Sequence, residues 1–182
     1  MTLRRALRIR RLTVGVVSLA LFVSVTPGVS AQNDRPSSAL LDVVKQVTLD
    51  PTTYVPAIAG YDATMRDWKS SQPLFHGGFV EQNPRFTVSG LPGDTPIGYE
   101  AGKRRILGDA LANLRMSLVD NLSTAVVEHV LASRYPEHRK LIRVVGWVQR
   151  ISLASYLSYQ MSARHYQQWQ DNERLARQQG LQ

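Results

Sequence analysis

The sequence contains no cysteine. A chain without cysteine has no disulfide framework, no thiolate nucleophile or metal ligand, and no covalent c-type haem attachment. It also has no cysteine that a lipid anchor would modify after export. Packing alone must therefore hold the fold together, so the chain has to bury a sizeable core.

Sequence motifs for several kinds of enzyme site are missing as well. The four histidines do not occur in H-E-x-x-H or E-x-x-H spacings, which place zinc or di-iron ligands one helical turn apart. Neither a G-x-S-x-G nucleophile elbow nor an S-x-x-K motif paired with K-T-G is present. We therefore predict no metal site, no bound cofactor and no catalytic residues, and a non-enzymatic role is the leading hypothesis.

Acidic residues are absent from the N-terminal region, where the first is Asp34. Five arginines precede a 14-residue apolar run from Leu12 to Val25, too short to span a bilayer as a helix. Pro27 and Gly28 then break the run, and small residues precede Gln32. This order is typical of a cleavable signal peptide over residues 1–31, so we expect an exported protein, periplasmic or secreted.

The strongly basic composition comes largely from this leader. Without residues 1–31 the net charge falls from +8 to +3, which removes the main argument for nucleic-acid binding. The remaining 151 residues are enough for a single domain. We therefore predict one helical domain over residues 32–182, no nucleic-acid partner and no membrane-spanning segment after cleavage.

Helical periodicity dominates the rest of the chain. An amphipathic helix is predicted from Ser38, a second from about Pro56 to Ser70, and two long helices over residues 99–133 and 137–178. The last two are separated by a tight connection around Pro136, so they should pack antiparallel as a hairpin. The fourth helix is apolar in places, but its arginines argue against a membrane span.

Residues 72–97 interrupt this pattern with a high density of proline and glycine. Such a segment is predicted to be an irregular loop. It also contains Phe75, Phe79 and Phe86, which a disordered linker would rarely carry. We therefore expect the three phenylalanines to pin the loop to the helices.

The predicted fold class is all-α: a long antiparallel helical hairpin, with shorter N-terminal helices and the long loop packed on it. A leucine seam runs along the first hairpin helix at spacings of three and four, and we expect it to face the core. Its members are Leu107, Leu111, Leu114, Leu118, Leu122, Ala125 and His129.

Two places along the chain hold the candidate binding residues. His76 and Phe79 lie in the aromatic loop, and His76 is the histidine most suited to a functional role. Arg139, Arg143 and Arg150 fall within about 40° of one another on the second hairpin helix. Residues 134–182 carry eight basic and three acidic groups, so an anionic surface is one candidate partner.

Together these features favour an exported binding or structural module of a bacterial-type envelope. Its partner would be an envelope protein or an anionic envelope polymer. The alternative is a hydrolase-like enzyme with a site between residues 72–97 and the hairpin. Titratable side chains gathered in one concave pocket would favour that alternative.

Overall fold

The computed structural model describes residues 36–181, and the predicted signal peptide lies outside them. Four α-helices account for most of this part of the chain, which contains no β-strand. The predicted all-α class is therefore confirmed. The helices are α1 (Pro36–Leu49), α2 (Val55–His76), α3 (Tyr99–Arg134) and α4 (Arg139–Gln178).

Proline opens three short 3-10 turns between the helices, at Pro51–Thr53, Pro84–Phe86 and Pro136–His138. Its fixed φ suits the first position of a turn, where a backbone N–H would lack a partner. Asp50 caps the first turn by accepting a hydrogen bond from the Thr52 N–H at 3.0 Å. This bond satisfies one of the backbone N–H groups at the start of the turn.

The second helix extends further than the sequence indicated, because it passes through Pro73 and ends only at His76. The prediction that residues 72–76 belong to the loop is therefore wrong. Side chains supply donors to carbonyls in the preceding turns: Gln72 bonds to the Trp68 carbonyl at 2.8 Å and Ser71 to the Asp67 carbonyl at 2.9 Å. Burial of Leu74 on the last turn adds to what holds the helix beyond the proline.

The larger apolar cluster lies where α2, the loop and the start of α3 meet. Trp68, Phe86 and Ile106 are buried there. The indole N–H of Trp68 donates to the Tyr99 carbonyl at 3.1 Å. Its ring covers Gly102, where a Cβ would collide with the indole. Glycine at this position lets α2 and α3 approach closely.

The loop after α2 is held by backbone bonds across it rather than by all three phenylalanines. Ile97 donates to the Phe86 carbonyl at 2.8 Å, and Glu81 donates to the Asp94 carbonyl at 2.9 Å. Phe86 is buried, and Phe75, on α2, is partly buried against the cluster that Phe86 forms with Trp68 and Ile106. Phe79 is 40% exposed, so the expectation that it pins the loop is wrong.

The leucine seam of α3 does not face the core. Leu107 is 50% exposed, Leu111 57% and Leu118 41%, and of the seven seam residues only Ala125 is buried. The buried face of α3 carries mostly small or polar residues instead, and its members are Gly102, Ile106, Ser117, Asn121, Thr124, Ala125 and Glu128. Short side chains on this face allow the neighbouring helices to approach closely. The periodicity therefore predicted an apolar stripe correctly, but it did not show which face of α3 packs against the other helices.

A pair of truncations on α3 distinguishes these two faces. Leu118→Ala should cost less than about 1 kcal/mol, because its side chain is already partly in water. Ile106→Ala should cost about 2–5 kcal/mol, because it leaves a cavity beside Trp68. Urea denaturation followed by circular dichroism measures both. Equal losses of unfolding free energy in the two variants would mean that the leucine seam is covered in solution.

Candidate binding surface

The connection between α3 and α4, with the adjoining ends of both helices, exposes an unusual amount of apolar surface. From residue 129 to residue 149 every residue is at least partly exposed except Gly146. Leu141 is 62% exposed and Trp147 57%. We call the exposed apolar side chains of residues 126–148 the tip surface. Its members are Val126, Val127, Val130, Leu131, Tyr135, Leu141, Val144, Val145, Trp147 and Val148.

Behind the tip surface the interior is polar. Arg150 is 5% exposed; its Nε lies 2.9 Å from Asp50 Oδ2, and its Nη1 pairs with Glu128 Oε1. Glu128 is accommodated because α4 has a glycine opposite it, and a Cβ at Gly146 would overlap the carboxylate. These contacts join the end of α1, the C-terminal part of α3 and α4 through ionic bonds.

Further hydrogen bonds extend this polar interior. The amide of Asn121 donates to the hydroxyls of Thr52 and Thr53 at 2.9 and 2.8 Å. Gln149 donates to the Thr124 hydroxyl at 3.0 Å. The only buried apolar cluster at this end of the described residues is small: Val43, Val47 and Ala125. The apolar side chains of the tip therefore have no interior of their own to fill.

A groove of about 510 Å³ opens at the edge of the tip, between α1, α3 and α4. Val144 and Trp147 form its apolar wall, and Arg143 lines it as well. Arg150 and Glu128 also line it, and they are already paired with each other. The groove therefore combines apolar side chains with one exposed cation, Arg143.

Exposed cations surround the tip surface. Arg134, Arg139, Lys140 and Arg143 are all exposed, and none forms an ion pair with another part of residues 36–181. Residues 126–148 contain one exposed acidic residue, Glu137, whose carboxylate lies 3.7 Å from the His138 ring. The tip therefore presents a positive rim.

The sequence-derived binding residues do not form one site. Arg139 and Arg143 lie on the tip, whereas Arg150 is buried and ion-paired, so its assignment as a surface cation is wrong. His76 and Phe79 flank Gly77, which packs beside Leu181 just beyond the end of α4. That end is about 60 Å from Arg139 along the helix.

A second polar cluster, absent from the sequence prediction, joins α2 to α4. His165 Nδ1 lies 2.7 Å from Asp67 Oδ2, and Asn172 donates to Asp67 Oδ1 at 3.1 Å. His165 also lines a cleft of about 280 Å³, together with Asn83 and Arg85 of the loop. Asp67 and His165 are 98 positions apart, and no local spacing signals that they meet.

Asp120, on α3, allows a pH-dependent test of the fold. Burial raises the pKa of Asp120 above its usual 3.8, and its Oδ2 is buried without a hydrogen-bond partner in the described structure. Because the folded-state pKa exceeds the unfolded one, its contribution to stability falls as pH rises through the folded value. Asp120→Asn should therefore stabilise the fold at neutral pH, and this gain should vanish below about pH 4.

Thermal melts between pH 3 and pH 8 measure this effect, and Asp62→Asn is the matched control. Hydrogen bonds from Arg66 and Tyr166 lower the pKa of Asp62, so its carboxylate stabilises the fold above the unfolded pKa and loses that effect as pH falls. Asp62→Asn should therefore destabilise the fold at neutral pH. A gain for Asp120→Asn that is the same at every pH would contradict the assignment.

The described residues contain no cluster of three or more histidine or carboxylate side chains suited to a metal ion. None of the helices within residues 36–181 combines the length and apolarity that crossing a membrane requires. No protein-family model, curated protein or solved structure shows significant similarity to the chain.

Proposed function

We propose that the protein is an exported, non-enzymatic binding module of the cell envelope that engages its partner through the tip surface. One observation carries the proposal: apolar side chains of the tip are in water while polar and charged ones are buried behind them. Burying apolar groups is the main driving force of folding. A surface without a binding role would therefore have its apolar side chains inside and its polar side chains in water.

The size of the tip surface supports this proposal. The exposed parts of its ten side chains amount to roughly 800 Å², close to what one partner contributes to a standard interface. Exposed Trp147 and Tyr135 add the residue types that dominate binding energy at interfaces.

Export follows from the leader over residues 1–31 and is part of the same proposal. Cleavage before Gln32 should release a chain that lacks the five leader arginines. Intact mass and N-terminal sequencing of protein recovered from outside the cytoplasm measure this. A recovered chain that still contains Leu12 to Val25 would contradict cleavage.

Amide hydrogen exchange tests the binding role without assuming the partner's identity. The chain would be compared alone and with isolated envelopes, which contain protein, polymer and lipid together. We expect slower exchange over residues 126–148 and unchanged exchange around Trp68 and Ile106. Identical exchange at the tip in both samples would reject the proposal.

The cleft beside the Asp67–His165 pair favours a second candidate, a hydrolase-like enzyme. With its proton on Nδ1, His165 donates to Asp67 and keeps Nε2 as an acceptor, the tautomer of a general base. Burial raises the pKa of Glu81 in the neighbouring loop, and the Asp67 charge raises it further. The loop thus places a further titratable group near this pair.

Variants of the pair separate this candidate from a structural contact. His165→Asn and Asp67→Asn should each abolish turnover of small chromogenic esters or amides if His165 is a base. An exposed histidine, His138, provides the matched control as His138→Asn, which should leave turnover unchanged. Turnover that is absent from the wild-type chain, or equal in all four proteins, removes the enzyme hypothesis.

A further inference from the structure

The geometry points to an anionic phospholipid bilayer as the surface on which the tip docks, an inference that rests on the proposed binding role. Basic and apolar side chains occupy different faces at the start of α4. Leu141, Val144 and Val148 share its outward face at spacings of three and four, while Arg139 and Arg143 lie on the opposite face, about 130–170° away. A helix with this division lies in the plane of a membrane interface, with its cations among the headgroups.

The charge of the tip argues against a second copy of the chain. A two-fold symmetric dimer places the same patch on both sides of the interface. Pairing two tips would bring the unpaired cations Arg134, Arg139, Lys140 and Arg143 of each copy together. Like charges in one interface cost several kcal/mol. An anionic surface instead attracts the same four cations.

The distribution of the apolar side chains argues against a partner helix. A partner helix is recognised by one stripe, with contacts at spacings of three, four and seven residues. The tip members instead cover about 140° of the circumference of α3, from Val126 to Leu131, and about 160° of that of α4, from Val145 to Trp147. This is wider than the roughly 100° apolar stripe of a surface helix, and a fluid lipid layer can cover it.

Trp147 supplies a local probe of this docking. Tryptophan is enriched at membrane–water interfaces, because its ring is apolar and its N–H is polar. The chain has three tryptophans, none of them in residues 1–35: Trp68 is buried, and Trp169 is partly buried 22 residues further along α4. Only Trp147 lies on the tip, so a signal that disappears with Trp147 reports on the tip and not on the leader.

The experiment titrates the full chain with vesicles of phosphatidylcholine, with or without 30% phosphatidylglycerol (about a third, enough for a clear surface charge). With anionic vesicles we expect a blue shift of the emission and quenching by brominated acyl chains. Trp147→Phe should abolish both signals. Arg139→Gln, Lys140→Gln and Arg143→Gln combined should weaken binding about a hundredfold, because each cation near the surface adds a several-fold preference.

The matched control removes three exposed cations from α3 far from the connection: Arg104→Gln, Arg105→Gln and Arg115→Gln. It has the same net charge as the tip variant and should bind almost as the wild type does. Equal weakening in both triple variants, or equal binding to neutral vesicles, would overturn the inference.

Two further outcomes identify other occupants and also overturn it. A Trp147 blue shift that grows with protein concentration in the absence of vesicles would assign the tip to self-association. Tip protection by whole envelopes without any response to lipid vesicles would assign it to an envelope protein or polymer, and the binding role would stand. Failure of both experiments would reject the binding role itself.

Discussion

Arg150→Leu is expected to lose about 3–5 kcal/mol of unfolding free energy, because it leaves the carboxylates of Asp50 and Glu128 without their cation. Both carboxylates lie largely out of water, with 15% and 9% of their side chains exposed. A buried charge without a partner is far more costly than a missing ion pair. Guanidinium denaturation followed by circular dichroism measures the loss.

Two variants make this result specific. Arg143→Leu, two turns earlier on α4, removes an exposed cation and should change stability by less than about 0.5 kcal/mol. Adding Glu128→Gln to Arg150→Leu should restore part of the loss, because one of the two orphaned charges is then gone. If Arg150→Leu unfolded within about 1 kcal/mol of the wild type, the buried network would not exist in solution.

Trp68→Ala should cost about 3–5 kcal/mol, since it removes the centre of the larger apolar cluster. Its ring lies 5.1 Å from that of Phe86 and 5.6 Å from that of Phe75, between centroids, so both rings lose a partner. The bond to the Tyr99 carbonyl at the start of α3 disappears too. We therefore expect faster exchange across the loop as well as a lower denaturation midpoint.

The same substitution at Trp147 is the control. Trp147 is 57% exposed, so Trp147→Ala should cost less than about 1 kcal/mol in the free chain. Comparable losses at both tryptophans would show that the tip is buried in solution, whether by self-association or by another part of the chain. Neither result requires knowledge of the partner.

The helices could be predicted from sequence because their signals are local. Apolar spacing and proline at the turns indicated α3 and α4 to within two residues at either end. Pro73 misled the prediction, since the burial of Ser71 and Leu74 on either side of it depends on tertiary contacts. Local signals predict the ends of helices well only where no tertiary contact stabilises the helix beyond a proline.

The sites could not be predicted in the same way. The angular position of Arg150 matches those of Arg139 and Arg143, and only the arrival of α1 and Glu128 buries one of the three. The Asp67–His165 pair likewise depends on how α2 packs against α4. The exposed leucine seam illustrates the same limit, because periodicity reveals an apolar stripe but not the molecule that covers it.

The two buried apolar clusters give the molecule unequal halves. Ile106 belongs to one and Ala125 to the other, so they lie about 28 Å apart along α3. Large rings fill the first, while the second holds only two valines and an alanine beside an ionic network. Partial unfolding should therefore begin at the second cluster, with α1 and the tip surface separating while the part around the first cluster remains folded. If the tip is the binding surface proposed above, the end that meets the partner would be the end that rearranges most readily, and binding would be detected as a loss of motion.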